Sequence, residues 1–328
     1  MKKALSLIAG ILFAGLVLTG CGNSSSENSA DAPEKNQAAA LNVAYQPVVG
    51  FSPIFILRDN GAVQTALKEA GYDVEVNYTL FESGPPENEA FASGLQDIGV
   101  AGNVPVVSGI AAGQNRSIIG IASNGEKTEA VLVAKDSDIQ SIDDLSGKKI
   151  GLVVGSIANN FIYSLGVPAD AEIVNLSTGE QEAALQSGQV DAVAAWEPTM
   201  TKIQKDGVGR ILADGTGVFL GENPIFGRTE YIEQNPEIVQ IFLNEYKKAA
   251  DELKSAPDSY AEKYSQELGI DADTYVAALA NAELPVAITE TDEADLQGTA
   301  EFLYDSEIIS KKLNIRDYIN YQFSEGLK

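Results

Sequence analysis

The sequence predicts an α/β protein made of two similar lobes that face each other across a cleft. An internal echo is the first of three observations that carry this. Residues 88–105 read NEAFASGLQDIGVAGNVP and residues 182–198 read EAALQSGQVDAVAAWEP. Each copy runs from a helix-like stretch into Ser-Gly (Ser93-Gly94, Ser187-Gly188), two further residues, an aspartate (Asp97, Asp191) and a small apolar run. That order describes a helix stopped by a glycine that can take positive φ, followed by a short buried strand. Second, the echo extends upstream. Strand-like residues 41–46 lead into a Gly-Phe-Ser-Pro turn and a helix, as residues 149–154 lead into Gly155-Ser156 and another helix. Third, 328 residues exceed what one hydrophobic core usually serves. Ligands of open α/β sheets bind outside the carboxyl ends of the strands, which singles out Gly102-Asn103 and Trp196-Glu197. Asp97 and Asp191 are expected to be structural, bonding nearby backbone amides.

Composition narrows the function. Hydrophobic residues make up 45% of the chain and the formal net charge is −25, which argues against nucleic acid as a partner because phosphates require Lys and Arg. An anionic ligand remains compatible, since backbone amides at helix N-termini bind anions locally. Histidine is absent and there is one cysteine. Within this chain no disulfide, thiolate-zinc site or histidine acid–base pair can be built. No cofactor, metal or catalytic residue is expected. The inventory suits a binder better than an enzyme.

In chain order, residues 1–20 have a Lys2-Lys3 start and an apolar run, the pattern of a secretory signal peptide. The run ends Leu18-Thr19-Gly20-Cys21, which resembles the lipobox of bacterial lipoproteins and implies lipidation at Cys21. Residues 21–40 are rich in Ser, Asn and Ala and read as a flexible tether, reaching roughly 25 Å as a random coil. The first lobe is expected over 41–130. It holds helices at 62–70, 87–93 and 104–112 and strands at 72–80, 97–101 and 117–122. The second lobe is expected over 131–221, with a short helix over 137–145. Residues 222–328 should complete the first lobe. Crossings are expected at 126–133 and in the glycine-rich stretch 215–228. Amphipathic helices are expected at 236–255, 258–268, 272–282, 292–304 and 315–323. Their tyrosines read as packing groups, and the helices should pack on the first lobe.

Taken together, several stretches resemble a known family. Residues 129–137 (EAVLVAKDS), 142–151 (IDDLSGKKIG), Ser83-Gly84-Pro85, Gly102-Asn103-x-Pro105, Gly155-Ser156 and Trp196-Glu197-Pro198 are similar, in order, to the ABC-transporter substrate-binding proteins for aliphatic sulfonates, nitrate and taurine. The resemblance runs over most of residues 41–250. It implies a type II-like, two-lobed periplasmic-binding-protein fold with two crossover strands and a C-terminal helical extension on the first lobe. It also implies a small-molecule solute held between the lobes and delivered to an ABC permease and its ATPase by a protein anchored in the membrane, here expected to be a monomer.

The expected ligand contacts are Gln46, Phe51, Ser52, Ser83, Gly84, Gly102, Asn103, Thr128, Glu129, Ser156, Asn159, Trp196, Glu197 and Asn223. Ser52 and Ser156 open helices, where unpaired N–H groups favour an anion. Trp196 offers an apolar wall or a cation–π face. Asn103 is neutral where many relatives carry Asp. Glu129 and Glu197 would repel a bare sulfonate unless protonated or paired, and would suit an amine or the ring nitrogens of a pyrimidine. The alternatives to sulfonate import are therefore the same role for an amine or thiamine-precursor-like pyrimidine, or a ligand-sensing lipoprotein. The related pyrimidine synthases rely on histidine and iron, and this chain has no histidine.

Overall fold

The computed structural model describes residues 40–327. The signal segment, Cys21 and the tether, except its last residue, lie outside the described residues. No helix among the described residues is long and apolar enough to cross a membrane.

The first half builds one sheet. Strands β1 (Ala40–Tyr45), β2 (Glu75–Leu80), β3 (Ile98–Val100) and β4 (Arg116–Ser123) alternate with helices α1 (Ser52–Asn60), α2 (Ala62–Glu69), α3 (Gly84–Ala92) and α4 (Asn103–Ala111). The second sheet is made of β5 (Glu129–Ala134), β6 (Lys149–Leu152), β7 (Glu172–Asn175), β8 (Ala192–Trp196) and β9 (Gly209–Asp214). Its helices are α5 (Ile157–Ser164), α6 (Thr178–Ser187) and α7 (Thr199–Lys205). The chain then returns as β10 (Asn223–Arg228) to the first sheet, ordered β2-β1-β3-β10-β4; the second is ordered β7-β6-β8-β5-β9. Position for position the two orders correspond. In each, the strand that arrives from the other sheet is the second from one edge and runs antiparallel to its neighbours.

The echo in the sequence is an echo in structure. Gly94 and Gly188 take φ of 71° and 72°, the left-handed geometry that a residue without Cβ adopts at no steric cost. Three residues later, Asp97 Oδ2 accepts the Asn42 backbone N–H at 2.9 Å and Asp191 Oδ2 accepts that of Lys149 at 2.8 Å. Both aspartates satisfy a donor near the start of the neighbouring parallel strand.

Apolar faces dictate the layers. Pro236–Ser255 places Ile238, Val239, Phe242, Leu243 and Tyr246 on one stripe, and all are buried against the first sheet with α1 residues Ile54, Phe55 and Leu57. This α9 follows the short α8 (Thr229–Gln234) and precedes α10 (Asp258–Leu268), α11 (Ala272–Leu279), α12 (Glu290–Asp305) and α13 (Gln322–Glu325). Tyr264 packs edge-on to Phe55 with centroids 5.4 Å apart, and Tyr275 is fully buried. The other face of the first sheet carries α4 and α12, through Val107, Leu296 and Leu303. In the second sheet, α5 covers one face and α6 and α7 the other.

Some elements differ from the sequence expectation. The 137–145 helix reduces to a 3-10 turn, Ile142–Leu145, closed by a Ser141/Asp144 capping box and ended by Ser146-Gly147. The 315–323 helix is interrupted: Asn320 N–H donates to Ile118 O at 2.8 Å, which draws the chain into an extended bridge between Ile315–Tyr318 and α13. Strands β7 and β9 were not anticipated. The C-terminal helices also reach the second sheet's helices, by Asn160 Nδ2 to Thr299 Oγ1 at 2.8 Å and by Tyr163 against Phe302 with centroids 4.7 Å apart.

Candidate functional site

A cavity lies where the crossings meet the sheets, and four helix starts surround it. Phe51 is the N-cap of α1, Gly84 the first residue of α3, Gly102 the N-cap of α4 and Ser156 the N-cap of α5; all four line the cavity. The first three helices have no side-chain bond from their N-cap residue, but Pro53, Pro85, Pro86 and Pro105 have no N–H to offer, Ser52 N–H is bonded to Val49 O and Val104 N–H to Asn103 Oδ1 at 2.8 Å. At α5 the Ser156 hydroxyl accepts from Ala158 N–H at 3.2 Å and donates to Val153 O at 2.6 Å. Helix N-termini carry partial positive charge, and among the described residues lining the cavity none is Lys or Arg. The positive potential there comes from backbone.

Close packing brings these termini together. A Cβ on Gly84 would sit 2.4 Å from Pro105 Cγ, and one on Gly102 would sit 3.0 Å from Ile157 Cβ across the cleft. Glycine is thus required for α3 to approach α4, and favoured where α4 meets α5.

Of the expected contacts, Gln46, Phe51, Gly84, Gly102, Thr128, Glu129, Ser156, Trp196, Glu197 and Asn223 line the cavity. Four do not, which corrects the sequence expectation. Ser52 is fully buried one residue inside α1, so the N-cap position falls on Phe51. Ser83 sits outside Gly84, which takes its place on the wall. Asn103 is fully buried, its Oδ1 accepting the Val104 N–H at 2.8 Å. Asn159 turns back to accept the Gly155 N–H at 2.7 Å. Sequence reasoning missed Val48, Gly50, Pro105, Ser123, Ile157 and Ala282. Gly50 and Pro105 belonged to recognised motifs and could have been found. Ala282 comes from the C-terminal helical part, after residue 228, where no sequence signal pointed to the cleft.

Two carboxyl groups occupy the wall of the second lobe, Glu129 at the start of β5 and Glu197 just after β8, with Glu129 in register with Trp196. Thr128 Oγ1 lies 2.7 Å from Gly125 O and 2.6 Å from Glu129 Oε2. A hydroxyl has one proton to give. Gly125 O can only accept, so the Thr128 hydroxyl is shared between that carbonyl and the Glu129 carboxyl. Burial pushes Glu129 up to about 8, opposed by its bond to Thr128 and reinforced by the neighbouring Glu197 and Asp295 carboxyls. Burial therefore favours the neutral form of the Glu129 carboxyl at neutral pH.

Glu197 is bonded differently. It accepts Thr201 Oγ1–H at 2.7 Å, Thr201 N–H at 3.3 Å and Asn281 Nδ2–H at 2.7 Å. Burial raises its pKa, and these three donors pull it back. On the other lobe, Gln46 Nε2 donates to Glu87 Oε2 at 2.7 Å; burial pushes the Glu87 carboxyl up to about 8.

Apolar groups complete the site: Val48, Phe51, Ile157 and Trp196, with the Trp196 ring mostly buried in the second-lobe core. A polar floor of helix starts beside an apolar wall fits a small solute with a compact polar head.

Two five-stranded sheets joined by two crossings, with a backbone-lined cavity between them, define the class of two-lobed periplasmic-type binding proteins. The chain belongs to the NMT1/THI5-like family, whose model matches residues 67–260. It is 31% identical over 331 residues, 98% of this chain and 96% of the relative, to a Bacillus subtilis (strain 168) protein named as aliphatic sulfonates-binding. It is 32% identical over 220 residues to the taurine-binding periplasmic protein of Escherichia coli (strain K12), covering 63% of this chain and 64% of the relative. Its fold matches that of the alkanesulfonate-binding protein SsuA from Xanthomonas axonopodis pv. citri bound to MOPS, with a TM-score of 0.77, 23% identity, and 87% and 99% of the two chains covered.

Proposed function

We propose that this chain is the extracytoplasmic solute-binding component of an ABC importer and that its interlobe cavity holds a small organic sulfonate. The convergence of four helix starts on a cavity without basic side chains carries this reading. A sulfonate head carries negative charge on three acceptor oxygens, and the partial positive charge at the helix starts favours it without a counter-ion of fixed charge. A neutral Glu129 carboxyl, favoured by burial, removes the repulsion that an ionised carboxylate would impose. Trp196 and Ile157 receive the tail. The role is binding rather than catalysis, in keeping with the names of the relatives and the absence of histidine.

A second reading rests on Glu197. Its carboxylate, held by three donors at the cavity wall, suits the ammonium of a zwitterionic aminosulfonate better than a plain alkanesulfonate. The lobes 41–130 with 222–328, and 131–221, close about the crossings when a solute touches both. The chain acts as a monomer, anchored through lipid at Cys21, and presents its closed form to the permease and ATPase.

A thermal-shift and calorimetric panel on the full chain tests this, with alkanesulfonates, taurine, nitrate and aminopyrimidines. Micromolar binding probed at a hundredfold excess adds about 2.7 kcal/mol of apparent stability. A response to sulfonates supports the reading. A response confined to aminopyrimidines keeps the transport role and overturns the ligand.

A further inference from the structure

Polar and aromatic contacts join the C-terminal helices to the second lobe, and one of them ends inside the cavity. Asn281 follows α11, whose Tyr275, Ala278 and Leu279 are buried in the first-lobe core. Next to it, Glu283 bridges Asn124 at the end of β4, so the segment is tied to the first sheet. The Asn281 carbonyl packs on the crossing itself: a Cβ on Gly125 would lie 2.6 Å from Asn281 O. From this fixed base, Asn281 Nδ2 spans the cleft to Glu197 Oε1 at 2.7 Å. The other two donors to Glu197 both come from Thr201, four residues away on its own lobe. Asn281 is therefore the partner of Glu197 that lobe opening removes.

We infer that Asn281 is a positioning residue: it holds the Glu197 carboxylate from the opposite lobe, so the wall of the solute cavity is completed only when the lobes close. This rests on the cavity being the solute site. An open cleft leaves Glu197 with Thr201 alone and free to turn. Closure without the Asn281 amide buries a carboxylate one donor short, which is costly. The other charged groups nearby are accounted for: Glu129 is held toward its neutral form by burial, Lys202 on α7 is bonded to Asp206 and Glu182, and Lys205 to Asp271 at 3.0 Å. The Asn160–Thr299 bond also crosses between lobes, but neither residue lines the cavity. It serves as the control.

The test needs no solute. In the full-length chain labelled with 13C at glutamate side chains, the Glu197 signal is identified by its loss in Glu197→Gln. Its titration midpoint is followed in Asn281→Ala and in Thr299→Val. Paired fluorophores on the two lobes report the ligand-free closed fraction. In Asn281→Ala the midpoint is expected to rise by about 1–2 pH units, the worth of one hydrogen bond to a carboxylate, and the closed fraction to fall. In Thr299→Val the closed fraction falls too, and the midpoint moves only by the share of closed molecules lost, less than in Asn281→Ala. A midpoint unmoved in Asn281→Ala, or moved as far in Thr299→Val, overturns the inference, as does an unchanged closed fraction in Asn281→Ala. Asn281→Ser provides the same measurement should the alanine variant fold poorly. Because both readouts are taken without solute, failure to bind sulfonates would leave them standing and would count against the proposed ligand only.

Discussion

Asn281 and Glu197 lie 84 residues apart and on different lobes, yet the amide of one donates to the carboxylate of the other over 2.7 Å. The C-terminal helices therefore do more than cover the first sheet. They put a donor into the cavity wall that the second lobe supplies.

Closure itself depends on Gly102. Its absent Cβ would stand 3.0 Å from Ile157 Cβ on the opposite lobe. Gly102→Val adds bulk at that contact, and overpacking costs about 1–3 kcal/mol, here mostly in the closed state. Solute affinity should fall at least about fivefold while the melting temperature of the solute-free protein changes little. Calorimetric titration beside a melting curve checks this; equal losses in both would show that Gly102 matters for folding and not for closure.

The pH dependence follows from Glu129. Its carboxyl titrates at about 8 when folded, against an ordinary value of 4.5. Between those values the folded protein keeps a proton that the unfolded chain releases. Stability is then fullest below pH 4.5 and is lost as the pH rises through 8, by up to about 1.4 kcal/mol per pH unit for this group. Glu129→Gln should flatten part of the decline in denaturation midpoint over that range. Glu87, up to about 8, and Glu222, up to about 11, both mainly through burial, leave the remainder. Sulfonate affinity should weaken above pH 8 in the native protein, and do so less in Glu129→Gln.

Trp196 is both core and wall. Trp196→Ala removes a side chain packed in the second-lobe core, a change that costs about 3–5 kcal/mol. It also strips the apolar surface facing the solute. The expected result is a lower melting temperature and weaker affinity together. Trp196→Phe separates the two by restoring most of the stability, with affinity read in the same titration.

The paired aspartates make a comparative prediction. Asp97 is buried and also bonds the Arg228 guanidinium, whereas Asp191 is exposed. Asp97→Ala should cost about 1–3 kcal/mol by stranding buried donors, and Asp191→Ala less than about 1 kcal/mol. Urea unfolding of the two variants gives the ratio; equal costs would mean that burial does not set the worth of this bond.

Much of the site was legible because the cleft sits where recurring local chemistry puts it. Gly102, Ser156 and Trp196-Glu197 follow strands and begin helices, and strand-to-helix turns are visible in a sequence. The errors were of one residue or of direction. Ser52 and Ser83 each stand beside the residue that lines the wall, because a cap position depends on where the first helical turn starts. Asn103 and Asn159 are in the right place but fold their amides onto their own backbone, and side-chain direction has no signature in the sequence.

By itself the sequence determined the two α/β units, their glycine stops at Gly94 and Gly188, the strand-capping aspartates and the lack of histidine chemistry. All of these rest on local backbone preference or on composition. The tertiary structure alone decided that four helix starts share one cavity, that Glu129 is buried beside Thr128 and Glu197, and that Asn281 reaches Glu197. These depend on distances between segments far apart in the chain, which are set by packing across two cores and a cleft.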